Sequence, residues 1–319
     1  MINVGVIGIG QLGSIHVELL SKLEEFNLVG CYDTNITKSL ATNTKYNLLP
    51  ITKAEDLINT SDAIIIATPT TNHFEYAKEA IKLGKHVFIE KPVTHTIIQA
   101  TELIKLASEA RIVAQVGHVE RYNPAFLALK KFELNPMFIE VERLSSFPKL
   151  GTDVSVVLDL MIHDIDLILK IVKGNVRRIL ANGVSVITDS LDIANARIEF
   201  DNGCVANLTA SRVSAQKERK MRIFQKNAYI TVDFLEKKTE IHQLEESELN
   251  GFAIPLEKGR GVRIHTPEIV DNNAIEMELR DFAHSITSNI DPSVTVYDGA
   301  KALELAYAIL RKIQKSIPI

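Results

Sequence analysis

Asn3-Val4-Gly5-Val6-Ile7-Gly8-Ile9-Gly10-Gln11-Leu12-Gly13 decides the fold. An apolar run ends in a G-x-G-x-x-G, and a helical pattern over 11–22 opens out of it. In that context Gly8 permits a tight turn, Gly10 lets the backbone approach a pyrophosphate, and Gly13 lets the helix pack close to the strand. The helix start at Gln11 and Leu12 offers free N–H groups and a partial positive charge to phosphates. Twenty residues after Gly13 stands Asp33, at the end of the second predicted strand. A carboxylate there accepts hydrogen bonds from an adenosine ribose. It would repel a 2′-phosphate, and Thr34 and Asn35 follow it rather than an arginine. The residues therefore predict NAD in preference to NADP.

Working outward, strand-like runs at 3–8, 27–32, 62–67, 86–89 and 111–116 alternate with helical patterns at 11–22, 36–41, 53–59, 72–83 and 94–109. Ile64-Ile65-Ile66 is apolar without alternation, as in a strand buried on both faces of a parallel sheet. Such alternation implies βαβ units, and the fold class is α/β: a Rossmann doubly wound parallel sheet, then a second α/β domain. Beyond Gly117 the rhythm changes. A helix is expected at 124–133, a strand at 137–147 and a long helix at 153–173. Strands are expected at 177–188, 194–200, 204–213, 220–225, 229–233 and 240–243. Asp201-Asn202-Gly203 reads as a hairpin turn, and consecutive strands with short turns favour an antiparallel sheet. Residues 244–270, rich in Gly and Pro, read as an irregular excursion, with helices at 272–288 and 298–315 closing the chain. The domains are placed at 1–119, binding NAD, and 120–319.

The chain has 319 residues, 46% hydrophobic and 24% charged, which excludes a disordered chain and predicts two domains. Its 36 basic and 40 acidic residues leave −4, too little field to draw in nucleic acid. Two cysteines, Cys31 and Cys204, make no disulfide framework. No secretory signal or membrane-length apolar run is seen, so a cytoplasmic protein with no membrane partner is expected.

Ala67-Thr68-Pro69-Thr70-Thr71-Asn72-His73 follows a strand, and ligands of open parallel sheets lie beyond the carboxyl ends of strands. Thr68, Pro69, Asn72 and His73 are therefore candidate cofactor contacts, with a helix N-cap as the other reading of Thr71-Asn72. Glu90-Lys91-Pro92 ends the next strand at the same edge. Glu90 and Lys91 are cofactor candidates; Lys91, restricted by Pro92, is expected toward the crevice, with an ordinary surface lysine at a strand end as the other reading. In 154–173 an otherwise apolar helix carries Asp159, His163, Asp166 and Lys170 at spacings of four, three and four, on one face. Ionisable groups on a buried helix must be paired or face a cavity, and both readings stand. No His/Cys partner completes a metal set, so no metal is expected. His118 and Tyr122, in Gly117-His118-Val119-Glu120-Arg121-Tyr122-Asn123-Pro124, are substrate candidates at a domain junction, or parts of a packed hinge. Arg212, Lys217, Arg219, Lys220, Arg222 and Lys226 read as the polar face of a sheet.

Taken together, Gly8–Gly13, Asp33, Glu90-Lys91-Pro92 and Asp159-x-x-x-His163-Asp164-x-Asp166 resemble, in order, the Gfo/Idh/MocA oxidoreductases. The resemblance spans the chain and is firmest over 1–170. It implies a Rossmann domain followed, over 120–319, by a substrate-binding and oligomerisation domain with an open, mostly antiparallel sheet whose face makes homodimers or homotetramers. It also implies hydride transfer between a sugar or cyclitol hydroxyl and a nicotinamide cofactor. Its catalytic residues fall on Lys91, Asp159 and His163, which with His118 and Tyr122 form the expected substrate set. His163 would act as general base, Lys91 would stabilise the alkoxide, and Asp159 would orient the imidazole or hold a neighbouring hydroxyl. The stretches 116–125 and 151–166 look like those of enzymes oxidising C3 of a UDP-N-acetyl sugar. Gly117-His118 and Asp153-Val154-Ser155 depart from the inositol and glucose dehydrogenase phrases. The alternatives are an inositol- or glucose-type dehydrogenase, an oxidoreductase of a non-sugar imine or aldehyde, and a non-catalytic dinucleotide-binding regulator.

Overall fold

A computed structural model describes residues 1–147, 154–246, 254–255 and 260–316. The first part alternates strands and helices: β1 (Ile2–Ile7), α1 (Gln11–Leu20), β2 (Phe26–Tyr32), α2 (Ile36–Lys45), α3 (Ala54–Thr60), β3 (Ala63–Ile66), α4 (His73–Lys82), β4 (His86–Glu90), α5 (Ile97–Ala110) and β5 (Ala114–Gly117). The strands form one parallel sheet in the order β2-β1-β3-β4-β5. Ile64, Ile65, Ile66, Val87, Phe88 and Ile89 are all fully buried, as strands covered on both faces require. Between β1 and β3 the winding reverses, and the glycine turn sits at that point, where such sheets bind ligands. Gly8 has φ +91°, and a Cβ on Gly13 would lie 1.8 Å from the Gly8 carbonyl oxygen. A Cβ on Gly10 would meet nothing within 4 Å.

The second part opens with α6 (Pro124–Leu127), capped by Asn123 Oδ1 accepting from the Ala125 N–H. A 3-10 turn, Ala128–Lys131, replaces the rest of the helix expected to 133. After β6 (Pro136–Leu144), a π turn at Val157–Met161 leads into α7 (Ile162–Ile171), so the expected long helix is wider in its first turn. The remaining strands are β7 (Val176–Val184), β8 (Ile193–Phe200), β9 (Val205–Ser211), β10 (Glu218–Gln225), β11 (Ala228–Asp233), β12 (Lys238–Glu246), β13 (Ile254–Pro255) and β14 (Arg260–His265). With β6 they form one sheet, β13-β14-β12-β11-β10-β6-β9-β8-β7, antiparallel except where β6 meets β9. Along β8, Ala194, Ala196, Ile198 and Phe200 are buried, the period of two that a sheet with one covered face demands. The expected hairpin turn joins β8 to β9, with Gly203 at φ +88°. The excursion expected at 244–270 is corrected: β12 extends to Glu246, and β14 pairs with it from Arg260 to His265. Residues 247–253 and 256–259 of that stretch lie outside the described residues.

Two helices follow, α8 (Ala274–Ser288) and α9 (Val296–Ser316). The chain divides into two compact units, 1–119 with 273–303, and 120–272 with 304–319. The expected second domain, 120–319, is thus corrected, because α8 belongs to the first unit. Its Leu279, Phe282 and Ala283 pack in one core with Val4, Val6, Val17, Leu20 and Phe88. Among the described residues no helix is long and apolar enough to cross a membrane.

Within the second unit, two guanidinium groups hold α7. Arg143 donates from Nε and Nη2 to the Asp164 carboxylate at 2.8 and 2.7 Å, and from Nη1 to Glu120 at 2.7 Å. Arg121 donates from Nε and Nη2 to Asp166 at 2.7 and 2.6 Å. All five side chains are buried. A third buried arginine, Arg212, donates to Asp192 at 2.8 Å and to the Val154 carbonyl at 2.6 Å. Burial opposes ionisation of Asp192, but the N–H groups of Ile187, Thr188 and Val186 and the Arg212 guanidinium hold it well below the usual carboxylate range. Arg212 is therefore corrected from the expected polar sheet face, where Arg222 does lie, paired with Glu142 at 2.9 Å.

Two stability outcomes follow from this packing. Gly13→Ala forces the added methyl against backbone and is expected to lower unfolding free energy by about 1–3 kcal/mol. Gly10→Ala, pointing into open space, is expected to cost less than about 1 kcal/mol; equal midpoints in thermal denaturation would refute the contrast. Asp166→Ala removes the bidentate partner of the buried Arg121 guanidinium and is expected to lower stability in urea unfolding by more than about 1 kcal/mol.

Candidate functional site

The carboxyl ends of the parallel strands gather the predicted cofactor residues of the first unit. Gly10 is the N-cap of α1, and no side-chain cap bond closes the helix start. Gln11 and Leu12 beside it are exposed. Asp33 accepts the Ile9 N–H on Oδ2 at 2.8 Å and the Asn35 N–H on Oδ1 at 2.9 Å. Each carboxylate oxygen keeps a further lone pair for a sugar hydroxyl. The open cradle over Gly10, the uncapped helix start and this carboxylate fit a dinucleotide, whose pyrophosphate the glycines would hold and whose ribose Asp33 would meet.

Thr68 and Pro69 continue from β3, and Lys91 continues from β4, partly exposed. Asn72 stands at the N-cap of α4 without a side-chain cap bond. His73 and Glu90 differ from the expectation of direct cofactor contacts. The His73 ring is buried, with Nδ1 2.9 Å from the Pro92 carbonyl and Nε2 2.9 Å from the Thr68 carbonyl. It ties the two loops together. Burial pushes its pKa below the usual imidazole value, against the two carbonyls. The Glu90 side chain turns into the unit and meets His16 Nε2 at 2.6 Å. His16 and its neighbour Glu278 on α8 carried no signal in the sequence: one sits on an ordinary helix face, and the other is 188 residues beyond Glu90 (278 − 90).

In the second unit, Asp159 lies on the π turn and His163 in the first turn of α7, both partly exposed. Inserted π turns often mark functional sites. The face drawn through Asp159, His163, Asp166 and Lys170 is divided by its environment. Asp166 is sealed under Arg121, Lys170 is exposed, and only Asp159 and His163 share an intermediate setting. His118 in the first unit and Tyr122 in the second are 1% and 5% exposed, which suits packed residues better than open pocket walls. Glu120 and Arg121 of the same stretch belong to the buried ion pairs. Residues 151–153 of the sequence phrase before Asp159 lie outside the described residues.

An imidazole and a carboxylate one turn apart can take up and orient a proton, and an ammonium at a strand end can stabilise an oxyanion. The models of known families match in the same two parts. Residues 2–118 match the oxidoreductase family with an NAD-binding Rossmann fold, and 146–231 match the GFO/IDH/MocA C-terminal domain. UDP-N-acetylglucosamine 3-dehydrogenase of Acidithiobacillus ferrooxidans is 34% identical over 286 residues, covering 89% of this chain and 88% of that one. Myo-inositol 2-dehydrogenase of Thermotoga maritima is 24% identical, covering 98% and 96%. The solved structure of the Acidithiobacillus ferrooxidans enzyme GnnA superposes with a TM-score of 0.90 at 31% identity, covering 98% of each chain. Levoglucosan dehydrogenase in complex with NADH shares the fold, with a TM-score of 0.85 at 19% identity over 98% and 97% of the chains. With the glycine turn, Asp33 and the two-part architecture already in place, these matches show that the chain belongs to the Gfo/Idh/MocA family of NAD-binding oxidoreductases.

Proposed function

We propose that this chain oxidises a secondary hydroxyl of a sugar with NAD, and that the substrate is a UDP-N-acetyl sugar reacting at C3. The observation that carries the proton chemistry is the contrast along one helix. Asp164 and Asp166 are sealed in guanidinium pairs, while Asp159 and His163 stay partly exposed. The substrate reading is supported by the 34% identity to UDP-N-acetylglucosamine 3-dehydrogenase over most of both chains.

His163 removes the hydroxyl proton, since imidazole titrates near neutrality and can both accept and return it. Asp159, four residues earlier, orients that imidazole or holds a neighbouring hydroxyl. Lys91 stabilises the alkoxide left on the same oxygen. When bound, the nicotinamide supplies the acceptor for the hydride that leaves the carbon. Asp33 favours NAD by accepting from the ribose hydroxyls and repelling a 2′-phosphate. A homodimer or homotetramer through the second-unit sheet is supported by exposed Leu180, Val184, Val186 and Ile187 at its β7 end.

Incubation with NAD and UDP-N-acetylglucosamine is expected to produce NADH absorbance, with myo-inositol and glucose giving far less. Reduction with inositol alone would overturn the substrate assignment. Lys91→Ala and His163→Ala are each expected to lose about 10²–10⁴-fold in kcat while NADH fluorescence shows unchanged cofactor binding. If both groups serve one transition state, the double variant loses less than the product of the single losses; near-normal turnover in either single variant would remove that residue's role.

A further inference from the structure

His16, Glu90 and Glu278 meet inside the first unit from three elements, α1, the end of β4, and α8. Their relative exposures are 0%, 7% and 1%, and one nitrogen or oxygen of each lies within 4.8 Å of the others. His16 Nε2 is 2.6 Å from Glu90 Oε1, and the Lys91 N–H donates to Glu90 Oε2 at 3.3 Å. A Cβ on Gly117 would lie 2.9 Å from that Oε2, so the glycine leaves the room the carboxylate occupies. Phe88 meets the His16 ring edge-on at 5.3 Å and Phe282 at 5.9 Å, walling the trio with apolar surface. Glu278 Oε2 is buried and finds no hydrogen-bond partner among the described residues. The backbone of Glu278 is anchored, because Gln115 Nε2 donates to its carbonyl at 2.8 Å.

We propose that Glu278 is a positioning residue for Lys91: in its neutral form it backs the His16–Glu90 bond, and through the Glu90–Lys91 backbone contact it fixes where the lysine leaves β4. This rests on the role given to Lys91 above. Two carboxylates this close and this buried do not both stay ionised, so the pair holds one proton. The groups facing Glu278 decide where that proton resides. Glu90 faces it from the end of β4, His16 from α1 and Asp281 from α8 itself, while Lys91 acts on Glu90 and Gln115 on β5 is neutral. Burial first, then the charges of Glu90 and Asp281, push the Glu278 carboxyl well above its usual range. Burial also disfavours the Glu90 charge, but His16 and Lys91 hold that carboxyl below its usual range. Ionising Glu278 at higher pH sets a second negative charge against Glu90 and loosens the mount of the lysine.

The linkage has a definite sign. A carboxyl whose folded pKa is raised contributes stability fully below its unfolded value, and the contribution fades as pH rises toward the folded value. The thermal midpoint of wild type is therefore expected to fall, relative to Glu278→Gln, as pH is raised from about 5 to 8. Infrared titration is expected to show a protonated-carboxyl C=O stretch at neutral pH that Glu278→Gln lacks. Glu278→Ala is expected to lower kcat by about tenfold with the KM for NAD unchanged. Glu278→Gln is expected to restore most of that loss and to remove the alkaline fall in kcat. An alkaline limb identical in wild type and Glu278→Gln, or no carboxyl band assignable to Glu278, would overturn the proposal. So would a stoichiometric metal ion that Glu278→Ala releases. The two readings fail separately. An active Lys91→Ala ends the catalytic role of the lysine, whereas an inactive Lys91→Ala beside a Glu278→Ala with wild-type kcat ends this proposal alone.

Discussion

A carboxylate buried at the carboxyl edge of a parallel sheet has to be met by donors, and Glu90 imposes that requirement on the first unit. An unpaired charge in such a place costs several kcal/mol even after relaxation. The chain answers with the imidazole of His16, the backbone N–H of Lys91 and a glycine at 117 that clears the space. His16 lies on α1, six residues after its N-cap Gly10. The same rigid rod therefore carries the glycine turn at its end and the partner of Glu90 on its buried side. On the proposed reading, the phosphate-binding turn and the mount of Lys91 are joined through α1, and a shift of either would strain the buried His16–Glu90 bond.

The second unit solves a related problem differently. Its helix α7 brings two acids, Asp164 and Asp166, into the interior, and each receives a bidentate guanidinium. Buried ion pairs of this kind add little net stability over apolar packing, but they admit one geometry. Arg143 comes from β6 and Arg121 from the 3-10 turn at 119–122, so α7 is registered against two separate elements. Between these clamped neighbours His163 has little rotational freedom of its helix to exploit. The π turn ahead of it sets the offset to Asp159, an offset that four-residue spacing alone does not define.

How much of this was legible follows from the range of the interactions. The parallel sheet was plain because Ile64–Ile66 and Val87–Ile89 are buried on both faces and therefore unbroken in the sequence. Asp33 and the glycines were plain because a tight turn and a ribose need them within one βαβ unit. The partners of the acids were not. Arg143 is 21 residues from Asp164 and Arg121 is 45 from Asp166, with nothing local marking either pair. Glu278 was invisible for the same reason, since the return of α8 to the first unit is a property of topology. The strand at 260–265 was hidden by glycine and a neighbouring proline, which argue against a strand unless it lies toward a sheet edge, where β14 sits.

Asp33 shows how a residue read for one purpose can carry a second that the first depends on. Its Oδ2 accepts the N–H of Ile9, between the first two glycines of the turn, and its Oδ1 accepts the N–H of Asn35. The side chain read as the ribose acceptor therefore also clips the end of β2 to the glycine turn. On the proposed reading, the charge that discriminates against a 2′-phosphate is the charge that pulls the Ile9 amide into place. Removing it would change cofactor preference and turn geometry together. A specificity change at this position would then need a new acceptor for Ile9 as well as a new cation for the phosphate. On that reading selectivity is a property of the folded turn, and exchanging one ligand-facing group would not move it alone.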